Sequence, residues 1–175
     1  IPSVLSSKKN ISFDDAKRLA IQIFNYKKNS KDWYDIDYWS NMLGINIEEQ
    51  KRAEESYEKI KLYDGAIECL KELKRSYQMI LITNAHRKTL RIKLEKYDLS
   101  PYFDEMICSH ELNYVKEDLQ LWHILRVKFN LDYNKTVLVE DTLKNIEVGL
   151  SSGISSAIYL GNESSLFDER IIKMS

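Results

Sequence analysis

Apolar positions in the first third of the chain recur at helical spacing, and no stretch before Gln78 alternates as a strand would. Ser12, with Asp15 three residues on, approximates a capping box, and Phe13, Ala16, Leu19, Ala20, Ile23 and Phe24 follow on one helical face. Asn29-Ser30 ends that helix. The run Asp32-Trp33-Tyr34-Asp35-Ile36-Asp37-Tyr38-Trp39 then leads into a short helix closed by Gly44, and Asn46 caps a charged helix reaching about Lys59. From Leu62 the pattern changes. Asp64 caps a helix through Ala66, Ile67, Leu70 and Leu73, and Met79 to Ile82 reads as a strand ending at Thr83-Asn84-Ala85. A helix through Leu90, Leu94 and Tyr97 follows, then a break at Ser100-Pro101, a strand at Met106 to Cys108, and an amphipathic helix from Glu117 to Phe129. Thr136-Val137-Leu138-Val139 reads as a buried strand, its helix ends near Gly153, Ser156 to Leu160 is a last strand, and a terminal helix closes the chain. Helices alternating with strands predict βαβ units: an α/β fold of three layers, α/β/α, with a parallel sheet at residues 62–175 and an all-helical unit at residues 1–61.

Composition narrows the possible roles. A formal net charge of -1 offers no basic surface for nucleic acid, so Lys8-Lys9 and Lys27-Lys28 read as solvated faces. Cys69 and Cys108 lie far apart among apolar neighbours, as expected of reduced core cysteines in a cytoplasmic protein. No apolar run approaches the length that crosses a bilayer, and Ile1-Pro2-Ser3-Val4 carries neither an initiator Met nor a leader pattern. The missing Met leads us to expect a processed or truncated chain.

The candidate chemistry centres on Glu140-Asp141, two carboxylates at the end of an apolar strand. Paired anions repel unless a cation neutralises them, and a hard, oxygen-seeking ion such as Mg²⁺ suits them. Asp141 or Thr142 serving as a helix N-cap beside a solvated Glu140 is an equally good account of the stretch alone. In a parallel sheet, residues ending different strands converge at one edge. Thr83 ends another strand, and Lys116 lies in the loop after the Met106 strand. A hydroxyl, helix N-terminal amides, an ammonium and a carboxylate pair together describe a phosphate and Mg²⁺ site.

Ile80-Leu-Ile-Thr83-Asn-Ala, Tyr114-Val-Lys116-Glu-Asp and Val137-Leu-Val-Glu140-Asp141-Thr-x-x-Asn145, in that order, resemble motifs two to four of the haloacid dehalogenase-like hydrolases. The chain is further similar to bacterial GMP/IMP nucleotidases with a small helical cap through Asp32-Trp33-Tyr34-x-x-Asp37-Tyr38-Trp39, Thr83-Asn84-Ala85-His86 and Lys116-Glu117-Asp118-x-x-Leu121-Trp122-His123. The resemblance implies an aspartyl-phosphate mechanism on a small phosphorylated metabolite, a purine nucleoside monophosphate, with Mg²⁺ as cofactor. Thr83, Asn84 and Ala85 would bind the phosphoryl oxygens and Lys116 would neutralise charge. Asp141 would ligate Mg²⁺, and Glu140 would do so directly or through water. Glu117 stands where many members have Pro, which leaves the role of the ammonium intact.

Motif one, an apolar strand ending in Asp-x-Asp-Gly-Thr that supplies nucleophile and general acid, has no counterpart in this sequence. Asp35-Ile36-Asp37 has the dyad but neither the preceding strand nor the following Gly-Thr. The expectation is therefore a carboxyl-terminal portion of a longer protein, inactive alone, with its central strand position filled by the lost segment or by a strand swapped from another chain. Trp33, Tyr34, Tyr38 and Trp39 either stack a purine or form the cap's own core, His86 is placed to touch phosphate or substrate, and His123 reads as structural. A non-catalytic binding protein on the same fold and a phosphatase for another metabolite are the alternatives. A receiver domain has the wrong order of acids and lysine.

Overall fold

The computed structural model describes residues 2–28, 30–161 and 168–173, and it divides into two compact units, Ile1–Asn113 and Tyr114–Ser175. The first unit opens with helices α1 (Pro2–Lys9), α2 (Phe13–Lys27), α3 (Lys31–Tyr34), α4 (Ile36–Leu43), α5 (Ile47–Arg52) and α6 (Glu54–Glu58). It continues through α7 (Ala66–Lys74), β1 (Ile80–Thr83), α8 (Arg87–Lys96) and β2 (Glu105–Cys108). The predicted caps account for several of these boundaries. Ser12 Oγ accepts from Asp15 N at 3.1 Å, Asn46 Oδ1 accepts from Glu49 N at 3.2 Å, and Gly44 ends α4 at φ 63°, a left-handed conformation that costs glycine little.

Two local expectations differ in the structure, and one helix lies ahead of the first predicted element. The charged helix after Asn46 is broken at Ala53, whose ψ of 139° interrupts the hydrogen-bond ladder between α5 and α6. The start of α7 is capped by Gly65 at φ 76° rather than by the side chain of Asp64. Helix α1, formed by residues ahead of the first predicted element, packs Leu5 with Ala16, Ala20, Trp39 and Leu43 into a core of the helical segment. Side chains join those helices to α8: Arg52 reaches Glu95, Lys88 reaches back to Asp37, and Lys96 Nζ donates to the Tyr57 carbonyl at 2.9 Å. These contacts explain why residues 1–61 and the β1–β2 pair fall in one compact unit.

The second unit contains α9 (Leu119–Lys128), β3 (Val137–Glu140), α10 (Leu143–Ser151), β4 (Ser156–Tyr159) and β5 (Ile171–Lys173). The predicted terminal helix falls largely outside the described residues, and residues 171–173 form a strand parallel to β4 instead. Every described strand pair is parallel, with β1 on β2 in one sheet and the order β3-β4-β5 in the other. Gly149 in α10 lets the helix lie close on β3: a Cβ there would come within 2.6 Å of Leu138 Cδ2. β3 is less buried than its apolar run predicts, since Val137 and Val139 are 53% and 52% exposed and β4 is its only partner strand among the described residues. Cys108 is buried as expected, with its thiol pushed up to about 11 by desolvation, whereas Cys69 is exposed. No helix among the described residues is long and apolar enough to cross a membrane.

Candidate active site

In the first unit, β1 delivers Thr83 to the start of a tight turn. Thr83 Oγ1 accepts the Ala85 N–H at 3.0 Å, so that amide is used within the loop while the threonine O–H proton stays available to an incoming oxygen. Asn84 is buried and its Oδ1 accepts from Ser109 Oγ at 2.7 Å, which ties the loop to the end of β2. His86 is the N-cap of α8, its Nδ1 accepting from Lys88 N at 3.3 Å. A ring nitrogen that accepts carries no proton, so the proton of the neutral imidazole lies on Nε2.

That Nε2 faces Asp35 Oδ1 at 3.8 Å and Asp37 Oδ2 at 3.9 Å. One atom from each of Asp35, Asp37 and His86 lies within 4.8 Å of the others, close enough in principle to hold a cation. Two features oppose a metal there. The imidazole lone pair is already engaged at Nδ1, and Lys88 Nζ, 2.6 Å from Asp37 Oδ1, supplies the neutralising charge. The same ammonium holds the Asp37 carboxyl below its ordinary value. His86 stacks on His110 with ring centroids 4.5 Å apart and planes 15° apart, and burial lowers the His110 pKa. The dyad Asp35-Ile36-Asp37 is thus a helix start, with Asp35 Oδ1 accepting from Asp37 N and Tyr38 N.

The aromatic run sits beside this polar group with a different role. Phe24, Trp33, Tyr38 and Trp39 meet edge to face, with centroids 5.0 to 6.2 Å apart, and Trp39 Nε1 donates to the Trp33 carbonyl at 3.0 Å. Trp39 is only 7% exposed. The indoles are therefore packed on one another in the core of the helical segment, and Tyr34 ends α3 nearby in sequence.

In the second unit, the loop before α9 positions Lys116. Val115 N donates to Asp118 Oδ2 at 3.1 Å, and Trp122 Nε1 donates to the Lys116 carbonyl at 2.9 Å, fixing the backbone from which the ammonium extends. Lys116 Nζ lies 2.5 Å from Glu140 Oε2. The other oxygen, Oε1, accepts from Asp141 N and Thr142 N at 3.2 and 3.1 Å. Glu140 therefore makes the cap-like contacts that the sequence assigned to Asp141 or Thr142, and Thr142 makes no side-chain cap bond.

With both Glu140 oxygens engaged, Asp141 is the carboxylate left exposed, its Oδ1 accepting from Thr142 Oγ1 at 3.3 Å. Its contact with Glu140 first, and then its own backbone amide and the charge of Lys116, hold its carboxyl below the ordinary value. Asn145, in the first turn of α10, is 3% exposed and its Oδ1 has no partner. An orphaned amide oxygen near an open carboxylate in sequence suits a hard cation, for which every available donor is oxygen. The side chain of Asn145 was quoted in the motif pattern without a role; only burial reveals that its oxygen is unsatisfied. His123 lies on α9 and is exposed.

A family model described as "Haloacid dehalogenase-like hydrolase" matches residues 15–159. The GMP/IMP nucleotidase YrfG of Escherichia coli (strain K12) is 29% identical over 171 residues, covering 97% of this chain and 76% of that protein. Among solved structures, a HAD phosphatase from Thermococcus onnurineus superposes with a TM-score of 0.82 at 21% identity, covering 99% of this chain and 80% of that one. A HAD family enzyme from Bacteroides thetaiotaomicron, in complex with magnesium and inorganic phosphate, gives a TM-score of 0.63 at 15% identity over 82% of this chain and 78% of its own. The ordered strand-end residues, the parallel α/β architecture and these matches place the chain in the haloacid dehalogenase-like hydrolase family.

Proposed function

We propose that the protein is a Mg²⁺-dependent phosphomonoesterase working through an aspartyl-phosphate, and that its substrates are purine nucleoside 5′-monophosphates of the GMP/IMP kind. The observation carrying this reading is the Lys116–Glu140 pair with Asp141 left open at the end of β3. Similarity to a GMP/IMP nucleotidase along 97% of the chain supports the substrate class. In this reading Thr83 and Asn84 contribute to phosphoryl binding, Lys116 offsets the charge shared by phosphate and nucleophile, and residues 1–61 act as a cap above a core at 62–175. Bound at Asp141, with Glu140 acting through water, Mg²⁺ would supply Lewis-acid stabilisation of phosphoryl charge. Thr83 donates its O–H to a phosphoryl oxygen, and the cap side of the site excludes water during transfer.

The nucleophile and general acid require a carboxylate dyad that the sequence does not hold in the right setting, because Asp35 is a helix cap and Asp37 is paired with Lys88. We assign them to an Asp-x-Asp-Gly-Thr strand outside these 175 residues, or to one swapped from another chain, so that the chain alone is inactive. The test is a phosphatase assay with Mg²⁺ on the full-length protein against GMP, IMP, AMP and sugar phosphates, alongside these 175 residues. Asp141→Asn in the full-length protein should lower kcat/KM by at least about 100-fold, the scale of removing one electrostatic contact to the transition state. Hydrolysis by the 175-residue chain alone would overturn the assignment of the nucleophile, and activity of Asp141→Asn equal to wild type would overturn the metal role.

A further inference from the structure

The polar group beside the Thr83 loop is arranged as an open donor and acceptor pair. Asp35 Oδ1 is committed to the amides of Asp37 and Tyr38, at 2.8 and 3.1 Å. Asp37 is different: its side chain is 48% exposed, Lys88 holds Oδ1, and Oδ2 points toward His86 Nε2. The 3.9 Å between them is too long for a hydrogen bond, so a proton donor and an ionised acceptor stand side by side without satisfying each other. The stack on His110 fixes the plane of the donor ring, and His86 follows directly on Thr83-Asn84-Ala85. A ligand that satisfies both must present an acceptor next to a donor on one edge.

A 6-oxopurine has that edge, with O6 accepting beside N1–H donating; a 6-aminopurine has the reverse, with N6–H₂ donating beside an N1 lone pair. We propose that Asp37 accepts N1–H and His86 Nε2–H donates to O6, so that this pair makes the protein select GMP and IMP over AMP. The inference rests on the nucleotidase reading above and goes beyond it by assigning base selection to two residues. Adenine would set its N1 lone pair against the Asp37 carboxylate and its amino protons against the imidazole N–H, leaving both protein groups unpaired as well as repelled.

The test is the ratio of kcat/KM for GMP over AMP, and for IMP over AMP, in the full-length protein with Asp37→Asn. An amide can turn either its oxygen or its NH₂ to the base, so the ratio should fall by about tenfold to 100-fold, the discrimination that one bidentate pair on a base edge supplies. Lys88→Met separates a structural role, because it removes the ion pair with Asp37 and leaves the carboxylate in place. If Lys88→Met lowers the ratio as far as Asp37→Asn does, the pair is only a structural latch and the proposal fails; an unchanged ratio in Asp37→Asn sinks it too. Should Asp37→Asn not fold, His86→Gln carries the same expectation, since its amide also presents either polarity. Wild-type protein that hydrolyses ribose 5-phosphate and no nucleoside monophosphate would mark failure of the nucleotidase reading itself. Wild-type preference for GMP with an unaltered ratio in the variants would mark failure of this inference alone.

Discussion

The segment from Trp33 to Leu43 presents two sides that do opposite work. On one side Ile36, Trp39 and Leu43 of α4 are buried, and Trp39 and Leu43 close the core of the helical segment against α1 and α2. On the other, Asp35 and Asp37 face α8 through His86 and Lys88. The aromatic rings are the most conspicuous feature of the sequence there, and they pack on one another around the buried Trp39. The carboxylate between them keeps half its surface in solvent. Aromatic density marks a core here, and Asp37 at an intervening helical position keeps a carboxylate in solvent.

The largest effect expected from breaking the comparison comes from its apolar side. Trp39→Ala should cost about 3–5 kcal/mol of stability, because the indole is 7% exposed and meets Phe24, Trp33 and Tyr38 edge to face. Chemical denaturation measures this directly. Protein that remains folded should keep its GMP over AMP ratio, and a large change in the ratio with little loss of stability would reverse the roles assigned to the two sides.

Asp35→Ala sharpens the contrast within the polar side. Losing an N-cap that accepts from two amides should cost about 1 kcal/mol, while leaving the Asp37 and His86 pair and hence the nucleotide ratio in place. Asp37→Asn has the reverse signature, with a shifted ratio and a small change in melting temperature. Two acids two residues apart are thereby separated by function: the first ends at backbone amides and the second at solvent.

Much of this molecule is legible from its residues. Local chemistry set Ser12, Asn46 and Gly44 at helix ends, and period-two and period-3.6 patterning located β1 to β4 and the helices between them. Thr83 and Glu140 stand at the ends of β1 and β3, as the apolar runs before them predict, because strand ends in a parallel sheet are constrained in both sequence and direction. What pattern alone could not settle is how polar groups choose partners. Glu140 rather than Asp141 takes the helix amides because its longer side chain folds back onto the turn it precedes, and that choice leaves Asp141 open. The rings of Trp33 and Tyr38 read equally as a core or a stacking surface in the sequence, and the structure packs them edge to face on the buried Trp39. Exposure of Val137 and Val139 likewise depends on what lies beside β3, which a run of apolar residues does not encode.

The smallest effect distinguishes the Lys88–Asp37 contact from the base-reading role of the carboxylate. The ammonium hydrogen bond lowers the Asp37 pKa from 3.8, and the reciprocal bond raises that of Lys88 from 10.5. A carboxyl depressed in the folded state contributes stability above its unfolded pKa and loses it as pH falls through the folded value. An ammonium raised in the folded state contributes fully below its unfolded pKa and loses that contribution as pH climbs through the folded value. The pair should therefore add a constant increment across neutral pH, fading below about pH 3.8 and above about pH 10.5. Thermal melts of wild type and Lys88→Met over that range should differ at neutral pH, converge in acid, and differ less as salt is added, since both partners are partly exposed. A difference that persists undiminished in acid would show that Lys88 contributes by packing its alkyl chain, and the contact would then cease to account for an ionised Asp37.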